Sequence, residues 1–302
     1  MQVLYSWEMN KDLPLSFLEG QLKTHTTKSI TLYLTNLSYL VEICRYSMVD
    51  KAKRLAKYIK TEEDTNSSTI IAANRIVQHL MTLPKFNLLC EKDGVKNYMD
   101  DEVVRKLFIE LSAKPKYKEY AALTAPTLEQ DREIVIFILK KIMQGNADLE
   151  AHLEEQFINY SDDTSLLLHI ISKYTETFDG TNPEHYFAGL GLWEEEKQFG
   201  FELLKQTHNH NDELIAYIEP NLVNWELDRI ATLDMILMKM ALCELKYFPT
   251  VPIKVSINEY IDISKLYSTP KSKDFVNGVL DRIKNKMVED GEIKKMGRGL
   301  VE

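Results

Sequence analysis

An all-α fold is predicted by three observations. No segment sustains the polar–apolar alternation of a half-buried strand, Gly and Pro number only 11 and 9 in 302 residues, and apolar residues recur at helical spacing along most of the chain. The run Leu34, Leu37, Val41, Cys44 and Met48 shows that spacing clearly.

Taken in order, Met1 to Met9 reads as a helix with an apolar face of Val3, Leu4 and Trp7, and no Ser, Thr, Asp or Asn precedes it as a cap. After Leu13-Pro14, Ser16 to Lys28 gives a short amphipathic segment and Ile30 to Lys60 a longer helix. Thr61 to Ser68 is a polar loop. Ile70 to Leu83 is a helix ended by Pro84, and Phe86 to Cys90 a short apolar run before the Lys92-Asp93-Gly94 turn. Helices follow at Asp100 to Ala113 and at Leu128 to Gln144, the second stopped by Gly145-Asn146, then at Glu150 to Tyr160 and Thr164 to Phe178. Asp179 to Pro183 (DGTNP) is the clearest boundary in the chain. Beyond it, Trp193 to Asn209, Asp212 to Tyr217 and Asn221 to Asp228 read as helical. There is no internal repeat and no low-complexity tract.

The stretch Val251 to Asp281 parses as two helices joined by a basic turn. Pro252 suits a first helical turn, and Ile253, Ile257, Tyr260 and Ile261 fall on one face of a helix running to about Lys265. Thr269-Pro270 marks a second start, followed by the stripe Phe275, Val276, Val279, Leu280 and Ile283. Gly278 lies inside that stripe. Glycine there costs a helix about 1 kcal/mol against alanine, so its presence predicts close approach of a backbone or a ligand.

These residues carry a resemblance. INE at Ile257 to Glu259, S-x-x-FVNGVLD at Ser272 to Asp281 and LDMILMKMALCEL at Leu233 to Leu245 resemble the C-terminal half of the NusB transcription antitermination family. Gln2, Leu4, Tyr5, Ser6 and Trp7 resemble that family's first helix. The likeness covers Met1 to about Leu13 and about Leu192 to Lys286. It implies a NusB-like helical bundle, an RNA-binding domain formed by 1–14 and 192–290, with additional inserted helices over 15–191 and a polar tail over 291–302. Whether the inserted helices form a separate lobe or thicken the same bundle is open at this point. The family's first helix follows an arginine-rich run, so the resemblance also implies a native start several residues upstream in basic sequence.

Composition is that of a soluble globular protein, 44% hydrophobic and 27% charged. No stretch approaches the roughly 18 uninterrupted apolar residues of a membrane span, and Met1 to Lys11 lacks the pattern of a signal peptide, so the cytoplasm is the expected compartment. Cys44, Cys90 and Cys243 lie far apart in apolar surroundings, which predicts reduced, buried thiols. The net charge of -9 is uneven. From Lys246 to Glu302 there are eleven Lys and Arg against eight Asp and Glu, a balance of +3, leaving 26 against 38, a balance of -12, in the rest. A solvated helix face and a phosphate-binding patch both account for that asymmetry.

Enzyme signatures are absent: no GxxxxGK[ST], no GxGxxG after a strand, no GxSxG and no HExxH. His208 and His210 have no third ligand placed beside them and read as a solvated helix end. Met235, Met238 and Met240 read as core packing. Glu244 lies near an apolar face, where a carboxylate needs a donor, and a structural tie to a neighbouring helix start answers that need.

The residues with a functional claim cluster at the basic turn. Lys271 and Lys273 flank Ser272 at a helix start, where free N–H groups and the positive helix end favour an anion such as phosphate. Phe275 reads as core or as a base-stacking surface, and Tyr267 leads into the turn. The resemblance implies that this turn faces boxA-type single-stranded RNA, bound jointly with the ribosomal protein NusE as part of the RNA polymerase antitermination complex, with no cofactor. Many members carry an acidic residue where Lys271 stands. The resemblance further places Tyr5 near both RNA and NusE, and Asp228 and Asp234 on an exposed surface facing NusE. Two rival readings remain: a helical scaffold without RNA binding, and a relative of rRNA 5-methylcytosine methyltransferases, whose RNA-binding domain resembles NusB. The sequence counts against the second, since it has no glycine-rich cofactor loop and no Cys after a Pro.

Overall fold

The computed structural model describes residues 1–182, 185–222 and 226–300, and among these every regular element is a helix. In chain order they are α1 (Gln2–Met9), α2 (Leu15–Leu55), α3 (Glu62–Thr65), α4 (Arg75–Thr82), α5 (Pro84–Lys92), α6 (Asp101–Ala113), α7 (Pro115–Ala121) and α8 (Leu128–Ile138). There follow α9 (Ala147–Gln156), α10 (Tyr160–Thr177), α11 (Ala188–Asn209), α12 (Asn211–Ile218), α13 (Thr232–Tyr247), α14 (Ile253–Tyr267) and α15 (Ser272–Glu289). The chain divides into a terminal unit, Met1–Thr24 with Leu192–Glu302, and a central unit, His25–Gly191.

In the central unit, α2 supplies Leu34, Leu37, Leu40, Ile43 and Cys44 to a core completed by Ile76, Val77 and Leu80 of α4, Leu107 and Leu111 of α6, Ile134 and Ile138 of α8, and Ile171 of α10. Where two segments were expected over 16–60, α2 is one continuous helix. No breaker lies between Lys23 and Ile30. The hydroxyls there donate along the helix, Thr24 Oγ1 to Gly20 O at 2.9 Å and Thr31 Oγ1 to Thr27 O at 3.0 Å, instead of diverting the backbone.

Other departures from the sequence reading have equally local causes. The helix expected over Ile70 to Leu83 is split at Asn74, whose Oδ1 accepts from the Ile76 and Val77 N–H groups and starts α4 afresh. Inside the loop Thr61 to Ser68, a capping box between Thr61 and Asp64 closes the single turn α3. The helix from Leu128 continues past Ile138 as a π turn, Leu139–Met143. Between Asn221 and Asp228, 3-10 turns occupy Glu219–Asn221 and Leu227–Arg229, and residues 223–225 lie outside the described residues. Pro183, at the end of the expected boundary, also lies outside them.

The terminal unit is built around α13. From Ile236 to Leu245 every residue of that helix is buried. Against it pack Val3, Leu4 and Trp7 of α1, Leu214 and Ile218 of α12, Tyr260 of α14, and Val276, Val279, Leu280 and Ile283 of α15. Each large apolar side chain so buried stabilises the fold by about 1.5–3 kcal/mol. Met238 and Met240 are buried in this core and Met235 packs against it. The tail is tied to the same unit: Met296 N–H donates to Pro249 O at 2.9 Å and Lys295 Nζ to Phe248 O at 2.9 Å.

Cys44 and Cys243 are free and buried, and burial pushes the Cys243 thiol up to about 12. Cys90 is only half buried, because α5 turns it toward Ser38 near the unit's surface. Gly278 does not meet the expectation of close backbone approach. Among the described residues, a Cβ there would find only the Arg282 guanidinium, at 3.7 Å.

Candidate nucleic-acid interface

A helix buried on all sides has no place for an unpartnered charge, yet α13 carries three charged residues that are nearly inaccessible: Asp234 at 5% exposure, Lys239 at 2% and Glu244 at 6%. Each is matched to a different neighbour. Glu244 accepts from Ser256 Oγ at 2.6 Å and Tyr260 OH at 2.8 Å, both on α14. Ser256 sits in the first turn of that helix, so the tie to a helix start read from the sequence is present. Burial, then the Glu244 charge, pushes the Tyr260 phenol well above its ordinary value.

Lys239 donates to Asn211 Oδ1 of α12 at 2.8 Å and to the Glu8 carboxylate of α1. Burial opposes both charges of that pair. It brings Lys239 below the ordinary lysine value despite the Glu8 contact, whereas Glu8, with hydrogen bonds from Lys11 and Lys239, stays below the ordinary carboxylate value. Sequence reasoning missed this pair. Its only trace was a lysine set between Met238 and Met240 in an apolar run.

Asp234 lies in the first turn of α13 and accepts from two hydroxyls, Ser268 Oγ at 2.6 Å on Oδ1 and Ser272 Oγ at 2.7 Å on Oδ2. Ser268 Oγ also lies 2.9 Å from Ser272 Oγ, and Thr269 Oγ1 lies 2.8 Å from the same hydroxyl. This corrects the expectation that Asp234 stands on an exposed surface. The positive ends of two helices, α13 and α15, meet at this carboxylate, and among the described residues the serines satisfy its oxygens without any cation.

Above this network runs the basic turn. The first helix of the pair extends to Tyr267, slightly past the expected end, and α15 starts at Ser272, two residues beyond Pro270. Lys271 is its N-cap residue and makes no side-chain cap bond. Ser272 N–H donates to Thr269 O at 2.9 Å and Phe275 N–H to Lys271 O at 3.3 Å, and among the described residues the N–H groups of Lys273 and Asp274 are left open. Because Ser272 points inward to Asp234, Lys271 and Lys273 project outward, and both are exposed. Neither forms an ion pair among the described residues.

Tyr267 is 39% exposed at the edge of the turn. Phe275 is half buried and packs against the core, which favours the packing reading of that residue. Tyr5 is 41% exposed on α1 and is not a core aromatic. Asp228 is exposed in the 3-10 turn Leu227–Arg229 ahead of α13. The structure therefore gathers Tyr267, Lys271, Lys273 and Phe275 about one helix junction, with Asp234 beneath it.

Electrostatically the junction is unusual. Cations at a helix N-terminus oppose the macrodipole by roughly 0.3–1 kcal/mol each, and only Asp274 in the first turn of α15 offsets them. Two exposed lysines beside open N–H groups suit a polyanion better than they suit the isolated fold. His208 and His210 contribute no such site: His208 lies against Trp7 at 4.6 Å, and His210 stacks on Tyr247 at 4.5 Å and meets Glu213 at 2.8 Å. Among the described residues no group of three His, Cys, Asp or Glu is placed to hold a metal ion. Likewise, no helix is long and apolar enough to cross a membrane.

Comparison with known proteins adds the following. A model described as the NusB family matches residues 129–285. The transcription antitermination protein NusB of Chloroherpeton thalassium is 39% identical over 130 residues, covering 43% of this chain and 60% of that protein. The protein of the same name from Salinibacter ruber is 44% identical over 105 residues, 35% of this chain and 66% of that one. That from Listeria monocytogenes is 41% identical over 90 residues, 30% and 70% respectively. The chain thus spans less than two thirds of the length of the first two of these relatives. No solved structure matches it. The matched region begins in α8, well ahead of Leu192 where the sequence likeness was placed, and it contains the whole α13–α15 junction.

Proposed function

The chain belongs to the NusB family, and on that premise we propose that it is a non-enzymatic transcription antitermination factor that binds boxA-type single-stranded RNA together with the ribosomal protein NusE. The observation that carries the RNA reading is the lysine turn. Lys271 and Lys273 stand exposed at the start of α15, against the helix dipole, with no ion pair and with two open N–H groups beside them among the described residues. Phosphate neutralisation by these lysines supplies affinity, and Tyr267 and Tyr5 offer exposed rings for unstacked bases.

For the protein partner, Asp228 is the residue whose exposure fits a contact surface, and Tyr5 is also accessible. Asp234 fits poorly as a direct contact, since both its oxygens are already engaged inside the fold. The experiment is co-purification of NusE with the full chain from cell extract, repeated with Asp228→Lys. Recovery of NusE with the parent and its loss with the variant supports the proposal; equal recovery removes Asp228 from the interface, and no recovery with the parent favours a scaffold role.

A further inference from the structure

We propose that Asp234 is a positioning residue for RNA binding, acting through Ser268 and Ser272 to hold the lysine turn in its binding geometry. This rests on the reading of that turn as an RNA contact and assigns a role to a residue that would not itself touch RNA.

Between Tyr267 and Ser272 the backbone leaves one helix and enters another within four residues, with Ser268 extended and Lys271 helical in φ and ψ. Packing from Val276 onward fixes the body of α15, whereas within residues 268–273 Ser272 alone is buried. Three hydroxyls converge there instead. Ser268 and Ser272 each donate to a separate oxygen of Asp234, and Thr269 leans on Ser272. Hydrogen bonds to an ionised acceptor are shorter and roughly twice as strong as neutral ones, so the carboxylate pulls both ends of the turn toward the first turn of α13.

The consequence reaches the lysines by geometry. Ser272 lies between Lys271 and Lys273, and with its side chain held inward the flanking side chains are directed outward on either side. Long lysine side chains lose rotamer freedom when immobilised, and a turn already fixed in place spares the binding event any further backbone ordering. Without Asp234 the turn is free to sample other conformations, and the two ammonium groups no longer present a paired target to successive phosphates.

A double-mutant cycle in the full chain tests this, using a single-stranded RNA oligonucleotide titrated across a range of salt concentrations. Four proteins are compared: the parent, Asp234→Ala, Lys271→Ala with Lys273→Ala, and the triple variant, each checked for helical content and a cooperative melt. The lysine pair is expected to lower the slope of log affinity against log salt by about 1.4, at about 0.7 per phosphate contact. Asp234→Ala is expected to weaken binding and lower the slope toward the same value, yet to change nothing further in the lysine-free background. Equal loss in both backgrounds, or undiminished binding by a folded Asp234→Ala protein, overturns the positioning role alone. If the lysine pair itself leaves affinity and slope unchanged, the RNA reading of the turn fails and the inference falls with it. Should Asp234→Ala not fold, Ser268→Ala takes its place, because half-buried Ser268 leaves room for water to replace one donor; the same non-additivity is expected and its absence is equally decisive.

Discussion

Asp234 Oδ2 accepts a hydrogen bond of 2.7 Å from Ser272 Oγ across 38 residues of sequence, joining the first turns of α13 and α15. A charge change at an exposed helix start costs under about 0.5 kcal/mol, but this carboxylate is buried with both oxygens used. Asp234→Lys is therefore expected to destabilise the terminal unit by more than about 2 kcal/mol, by burying an unmatched cation between two helix N-termini. Urea denaturation checks this. An unchanged midpoint would show that the site opens to solvent.

The Lys239–Glu8 pair ties α1, the helix bearing Tyr5, to the core helix. Removing only Lys239 leaves Glu8 with Lys11 as its remaining partner, and Lys239→Met is expected to cost about 3 kcal/mol or somewhat less, since Glu8 keeps 16% exposure. Combining it with Glu8→Gln should recover part of that loss, because no charge is then stranded. Chemical denaturation of the two single variants and the double provides the comparison. Strict additivity would mean that the pair is not coupled.

Glu213 gives the terminal unit a predictable acid limb. Hydrogen bonding by Lys246 foremost, then by Tyr247 and His210, outweighs burial and holds its carboxyl at about 2 against an ordinary 4.5. A folded value below the unfolded one means that the stabilisation is complete above about pH 4.5 and is lost as pH falls through about 2. Glu213→Gln should flatten the stability curve over that window. A curve with the parent's acid slope would contradict the assignment.

Gly278 offers a test with the opposite sign. Since a Cβ there meets only the flexible end of Arg282, Gly278→Ala should stabilise α15 by roughly 0.5–1 kcal/mol and raise the melting midpoint by a few degrees. A lowered midpoint would mean that the helix needs glycine for a contact not seen between the described residues.

How much of this was legible in the sequence differs from element to element. The helical stripe of α15 and the all-round apolar run of α13 were plain, because period 3.6 survives any tertiary context. The tie from Glu244 to a helix start was legible too, since a carboxylate on an apolar face has few ways to be satisfied. Asn74 was not, because a cap inside an apolar period looks like a helix interior. The buried state of Asp234 was hidden for a related reason. An aspartate in a first turn suits solvent equally well, and its partners lie 34 and 38 residues away, on a turn whose inward-facing serines carry no periodicity. That Lys271 and Lys273 flank a helix start was legible because charge at a helix start is a local pattern.

The central claim, joint recognition of RNA and NusE, is tested most directly by titrating single-stranded boxA-type RNA into the full chain with and without saturating NusE. Coupling between two ligands is reciprocal and typically 5–150-fold, so NusE should tighten RNA binding by about that factor, and RNA should tighten NusE binding equally. RNA affinity that is the same in both titrations would contradict the account.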